Sequence, residues 1–467
     1  VGAICAVAHQ RWRRRQSKDS DPHVSPASLL ITAVGLISIS WGLLYRLNAD
    51  FLPPLVWEAT TINNFFTDLP NATLWSAFTT RLLWAQGLLS EGERSLLYGY
   101  PTLFLLNITS SLISLRIFSA IYFLGTAMVL GAFCKRFFHP MVGLVVLFTF
   151  GFNEVGLIFG RYASSITATL ISVVAALYAC ASLVMRPSVS QAFPAVFLLY
   201  IATLGYAPGR IIVLILLGMT ILGVVFNRSR TVASRASITV LLCASICSIC
   251  WAQYRSGHFE SYAFARGEQV ATMLQTGYWP DTLLEKWRSF KAEDRTLNIL
   301  DYVSFATELV TTTTAPQLRD ILSPFAHAPH RANRFSEDPL RLELFAHSLY
   351  PFMLLGVLVA SRHTNRWIHT TLALWFVLGV APVLLTNRVD SYRTSMLLIP
   401  LSVWLAVGIT EALNEARRAQ VPRVLITCVP LLVAFTFIAH RADSLHFAAV
   451  QISNTDLVLR DLPPRLL

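Results

Sequence analysis

Apolar positions in this chain come in long blocks, and the polar positions between them fall either in short basic connectors or in two long mixed excursions. A helix needs about 20 apolar residues to cross a hydrocarbon core about 30 Å thick. Inside that core every backbone N–H and C=O must be bonded within the protein, which favours helices. The pattern therefore predicts an all-α polytopic integral membrane protein. Spans are expected over residues 28–45, 116–134, 141–159, 164–185, 192–206, 211–226, 236–253, 346–360, 368–386, 394–410 and 424–439, about eleven in all. In the first excursion, Leu74, Phe78 and Leu82 recur at helical spacing, with Trp75 and Trp84 suited to a headgroup layer. The apolar stretch 102–113 that follows is too short to span and reads as an interfacial helix. The second excursion, residues 254–345, is long enough to fold as a cap, with short helices expected over 268–275 and 281–290.

Composition agrees with the pattern. Of 467 residues, 54% are hydrophobic and 13% charged, against roughly 25% charged in a soluble domain. The net charge of +11 does not point to nucleic acid, because the basic residues sit in short connectors. Arg11, Arg13, Arg14 and Arg15 precede the first span; Lys135, Arg136, Arg186, Arg228, Arg230, Arg235, Arg362, Arg366, Arg417, Arg418 and Arg423 fill alternate turns. By the positive-inside rule those turns face the cytoplasm. The expected organisation is a cytoplasmic basic segment 1–27, a transmembrane module 28–253 containing a first extracytoplasmic loop 46–115, an extracytoplasmic loop or small cap 254–345, C-terminal transmembrane helices 346–440 and an extracytoplasmic tail 441–467. The expected location is a bacterial inner membrane, N-terminus inside. Residues 1–8 are apolar but too short to span; with Val at position 1, upstream residues are expected.

All seven cysteines lie in or beside apolar blocks, so no disulfide framework is expected. Cys243, Cys247 and Cys250 share one helical face, which suits a helix contact or a metal, although neither His nor an acid lies near them in the sequence.

Candidate chemistry gathers at the predicted outer face. Asp50 and Glu58 follow the first span. A carboxylate at a water–membrane boundary acts as a general base or metal ligand, or is simply a solvated loop acid. Arg116, Arg161 and Arg393 stand at span ends on the same face; a guanidinium there either forks onto a phosphate or snorkels to the interface. Glu154 is an acid inside the third span, about two turns from its outer end. The triplets Asn71-Ala72-Thr73 and Asn107-Ile108-Thr109 are glycosylation sequons on the outer side, of consequence only in a eukaryotic secretory pathway. His327, His330, His347 and Glu337 fit no standard metal spacing. A nucleotide-binding GxxxxGK[ST] loop, HExxH and GxSxG are absent from the sequence.

The order of these features resembles the GT-C superfamily of polytopic glycosyltransferases, in particular its protein O-mannosyltransferase and aminoarabinose transferase-like branch. The resemblance lies in the acidic loop VWEATTINN, in GYPTLFLLNITSSLISLRIFSAIYF with its arginine, in FGRYASSITATLISVVAALYACASLVMR, and in DSYRTSMLLIPLSVWLAVGI. It implies a GT-C type fold and transfer of a sugar from a polyprenyl-phosphate carrier to an extracytoplasmic acceptor. In the site so implied, Glu58, with Asp50 nearby, is the base or the ligand of a divalent metal cation, and Arg161 and Arg393, with Tyr392, lie near the carrier phosphate; Arg116, an arginine at the same face, is a further candidate for substrate binding. Two departures accompany it. Trp57 occupies the first place of the family's acidic pair, and Ser164, Ser165 and Thr167 stand where a second acid is implied. Glu154 is then a candidate substitute acid. The alternative is an inactive GT-C-like subunit that binds lipid or partners in a membrane assembly.

Overall fold

The computed structural model describes residues 26–44, 98, 101–102, 105, 112–161, 165–205, 207–226, 232–255, 284–286, 288–289, 299–315, 345, 349–363, 366–384 and 394–420. Among these residues all regular structure is helical. The chain forms α1 (Pro26–Leu44), α2 (Leu112–Phe137), α3 (Pro140–Gly151), α4 (Glu154–Arg161), α5 (Ser165–Met185), α6 (Val189–Thr203) and α7 (Ala207–Val225). It continues as α8 (Val232–Arg255), α9 (Ile299–Leu309), α10 (Tyr350–His363), α11 (Arg366–Leu384) and α12 (Leu398–Arg418). The stretches Arg116–Phe137, Ser165–Met185 and Ser395–Arg418 are long and apolar enough to cross a membrane, and α3 with α4 makes a fourth such span if the bent pair is counted as one. Shorter apolar helices, including those in α1, α6, α7, α8 and α10, complete the bundle. The last expected span, 424–439, and most of both long excursions lie outside the described residues.

Side-chain contacts fix how neighbouring helices run. Phe148 lies against Gly35, Ile39 against Gly151 and Leu43 against Gly160, so α1 runs alongside α3 and α4 in one direction. Gly143 meets the Gly131 carbonyl and Lys135, which turns α2 and α3 antiparallel. The α2–α5 pair is parallel, touching at Gly125–Ile171 and again at Arg136–Tyr178. α7 and α11 oppose each other, since Trp367 Nε1 donates to the Met219 carbonyl at 2.5 Å while Gly379 faces Ile212. From the middle of α11, Trp375 Nε1 donates to the Met396 carbonyl at 3.1 Å, just before α12 begins.

The tightest crossing joins α10 to α12. A Cβ on Gly356 would collide with the Trp404 carbonyl, and one on Gly408 would collide with the Phe352 carbonyl. These reciprocal contacts bring the backbones of the two helices together at Gly356 and Gly408. Small residues let membrane helix backbones meet in this way.

One expected span is broken. Residues 141–159 read as one helix, yet α3 and α4 meet at a 65° bend. Asn153 explains the break: its Oδ1 accepts from Gly156 N at 2.9 Å and its carbonyl from Leu157 N at 2.8 Å, capping α4. α6 begins at Val189 and carries Pro194 within it, with Ser188 Oγ accepting from Gln191 N at the cap. In the late excursion Lys286 Nζ pairs with Glu308 Oε2 at 2.7 Å on α9, which then continues as a wider π-type turn over Val310–Thr314.

Candidate functional site

The helix directions define two ends. At one end α1 leaves the bundle, α2 begins, α4 finishes, α5 begins and α12 is entered. The opposite end collects exposed Lys135, Arg136, Arg186, Arg366, Arg417 and Arg418.

Arg116 is the distinctive residue of the first end. It lies in the second turn of α2 because that helix starts at Leu112, earlier than the expected residue 116. Its exposure is 0%, which ranks it among the largest fully buried side chains. A short turn packs alongside: Thr102 N donates to the Tyr98 carbonyl at 3.2 Å, and Tyr98 and Thr102 are both buried. Ser119 Oγ, one turn beyond Arg116, donates to Tyr98 Oη at 3.4 Å. Taking a charged group out of water costs several kcal/mol unless polar partners surround it. This end of α2 is accordingly a polar patch inside an apolar bundle.

Arg161 closes α4 and is half-buried. α4 packs on α2 through Phe123, whose ring lies against Gly156 and whose Cβ lies 3.1 Å from where a Gly160 Cβ would stand. Arg161 therefore projects from the same end as Arg116, on the neighbouring helix. Leu43 of α1 lies against Gly160, so α1 ends beside the end of α4. Asp50, Glu58, Tyr392 and Arg393 themselves lie outside the described residues. The chain returns from Tyr392 and Arg393 at Thr394 and Ser395, both fully buried. Glu154 opens α4, seven positions before Arg161, or about 10 Å along a helix axis.

The start of α5 is lined with hydroxyls. Ser165, Thr167, Thr169 and Ser172 are buried; Thr169 Oγ1 donates to the Ser165 carbonyl at 2.9 Å and Ser172 Oγ to the Ala168 carbonyl at 2.9 Å. Such back-bonding satisfies a buried hydroxyl within its own helix. Ser165 and Thr167 thus occupy a buried place where the family resemblance implies an acid. Among the described residues no three His, Cys, Asp or Glu side chains gather to hold a metal. Cys243 and Cys247 are exposed on α8 and Cys134 and Cys180 are buried, all four as free thiols. His327, His330, His347 and Glu337 lie outside the described residues.

Tyr98, Ser119 and Asn153 are the site neighbours that the sequence reading passes over. Asn153 had a signal, a poor helix former amid an apolar run. Tyr98 and Ser119 had none, since their meeting depends on how the turn folds back onto α2.

Fold and site together define a membrane protein whose described residues form helices, with a cationic, hydroxyl-lined end. The chain is similar to crystal structures of the Archaeoglobus fulgidus oligosaccharyltransferase. The apo form gives a TM-score of 0.47 at 12% identity, covering 91% of this chain and 56% of that one. The form tethered through a disulfide to an acceptor peptide containing the NVT sequon gives 0.46 at 13% identity, covering 92% and 55%. The complex with Zn and sulfate gives 0.44 at 12%, covering 91% and 53%. The chain thus spans a little over half the length of that enzyme. No protein-family model and no curated protein matches it.

Proposed function

We propose that the protein is a membrane glycosyltransferase of GT-C type that moves a sugar from a polyprenyl-phosphate carrier to an extracytoplasmic acceptor. The observation that carries this reading is the fully buried Arg116 and the half-buried Arg161 on packed helices, at the end where α1 finishes six positions before Asp50 in the sequence. Exposed basic residues crowd the other end, which the positive-inside rule assigns to the cytoplasm, so the site faces outward.

In the reaction, a nucleophile of the acceptor attacks the anomeric carbon. The bond from that carbon to the carrier phosphate oxygen breaks, and the phosphate departs with the electron pair. Arg116 and Arg161, joined by Arg393 and Tyr392, offset the negative charge that builds on the leaving group, commonly the largest contribution to such catalysis. Glu58 takes the proton of the acceptor, with Asp50 nearby. The carrier supplies an activated sugar, which agrees with a sequence lacking a nucleotide loop. A divalent cation would be held by Asp50 and Glu58 and would supply polarisation of the phosphate; among the described residues no three His, Cys, Asp or Glu side chains gather to hold one.

A second reading has its own observation. Buried Ser165 and Thr167, with Trp57, replace acids that the resemblance implies, and they favour an inactive GT-C-like subunit that binds lipid within a membrane assembly. Sugar transfer from radiolabelled polyprenyl-phosphate sugars, in membranes holding wild type or Glu58→Gln, separates the two. Transfer by wild type that collapses in Glu58→Gln with carrier binding retained supports the enzyme; no transfer by folded wild type with any carrier supports the subunit. Glu154→Gln tests the substitute acid, and an unchanged rate removes it from the site.

A further inference from the structure

The basic end holds a feature that sugar transfer does not use. Arg136, in the last turn of α2, is exposed yet fixed in place. Its Nη1 donates to Tyr178 Oη at 2.9 Å, and its guanidinium carbon stands 5.3 Å from the ring centres of both Phe137 and Tyr178. Those rings belong to a packed cluster, with Phe133 and Phe137 centred 5.1 Å apart and Phe137 and Tyr178 5.7 Å apart. A guanidinium carries five N–H donors in a rigid fork. Tyr178 takes one, and the rest of the fork is presented from a preset position.

The neighbourhood is positive. Lys135 beside it is also exposed. Ion pairs join Lys286 to Glu308 and Arg418 to Glu411 and Glu415, and among the described residues no carboxylate pairs with Lys135 or Arg136.

An apolar track leads away from these two cations. α2 exposes Ile121, Met128, Ala132 and Lys135, positions that recur on one helical stripe. α5 runs parallel to it and contributes half-buried Ile171, Ala175 and Tyr178 at i, i+4 and i+7. The helices touch at Gly125–Ile171 and at Arg136–Tyr178, and the small residues Ala132 and Ala175 fall between those two contacts along the chain. Ile121 to Lys135 spans 14 positions, about 21 Å of helix, enough to run through one leaflet of a core about 30 Å thick.

We propose that this surface is a binding site for an anionic phospholipid. The phosphate sits on the Arg136 fork and Lys135, and one acyl chain lies along the α2–α5 track. A zwitterionic lipid offers the same phosphate but brings an ammonium group toward two cations with which no carboxylate pairs among the described residues. Charge complementarity therefore selects the anionic headgroup.

The test uses the full chain in nanodiscs of mixed phosphatidylglycerol and phosphatidylcholine, with retained lipid identified by native mass spectrometry. Wild type is expected to retain phosphatidylglycerol in preference, and Arg136→Gln to cut that preference about fivefold, the usual effect of one basic side chain at an anionic surface. Tyr178→Phe keeps the ring and removes only the hydroxyl, so it lowers the preference by about twofold. Ala132→Phe fills the track and reduces retention of both lipids, and excess inorganic phosphate leaves the bound lipid in place. Equal retention of the two lipids by wild type overturns the proposal. So does a preference unchanged in folded Arg136→Gln, and displacement by inorganic phosphate removes the acyl track. Should Arg136→Gln fold poorly, Arg136→Lys keeps the charge and loses the fork; a preference equal to wild type there counts against the preset guanidinium.

Discussion

Two arginines on α2, Arg116 and Arg136, occupy opposite ends of one helix and opposite settings. Arg116 is fully buried beside a turn of Tyr98 and Thr102, while Arg136 is exposed and stacked on aromatic rings. An exposed arginine at a membrane interface snorkels at little cost, whereas a buried one must be held by the polar groups around it. The contrast teaches where to look for chemistry: at the end that buries its cations and lines itself with hydroxyls.

The largest expected effect tests that contrast by activity. Arg161→Ala is expected to lower sugar transfer by about 10²- to 10³-fold, as loss of one charge-stabilising donor does, while Arg186→Ala at the basic end leaves the rate unchanged. Equal losses in both would erase the distinction between the ends. Stability gives the next comparison. Arg116→Met is expected to cost about 3 kcal/mol in denaturant unfolding, from the polar partners stranded and the volume lost; Arg136→Gln costs less than about 1 kcal/mol. Smaller again, Asn153→Ala removes the cap of α4 and is expected to cost about 1 kcal/mol, with a drop in transfer if α4 is what aims Arg161. Tyr98→Phe comes last. It removes the bond from Ser119 and is expected to cost about 0.5 to 1 kcal/mol, so a larger loss would mean that Tyr98 Oη holds more of this end than Ser119 alone.

Much of this was legible in the chain because membrane helices announce themselves by composition. Arg116 and Arg161 stand out as cations beside long apolar runs, and the structure places both at one end, on helices packed through Phe123. The boundaries were less legible. Leu112 to Leu115 extends α2 upstream of Arg116, since a helix continues as long as its backbone is satisfied, whatever the hydropathy pattern. The bend at Asn153 was masked by the apolar residues on either side, because block-wise hydropathy weighs side chains and overlooks caps. Glycines such as Gly356 and Gly408 look alike in any apolar helix. Their meaning comes from the partner backbone, which only the folded bundle supplies. Ser165 and Thr167 were visible as non-acidic, but their burial depends on the packing of α5.

The Gly356–Gly408 crossing sets a schedule for biogenesis. The two glycines are separated by 52 positions, which a ribosome working at about 5–20 residues per second covers in roughly 3 to 10 s. Until Leu398–Arg418 follows it out of the ribosome, Tyr350–His363 carries a notched face shaped to fit a backbone that has not yet arrived. Lipid tails fill such a notch poorly, so the nascent helix is a natural client for the insertion machinery until Leu398–Arg418 arrives to close it.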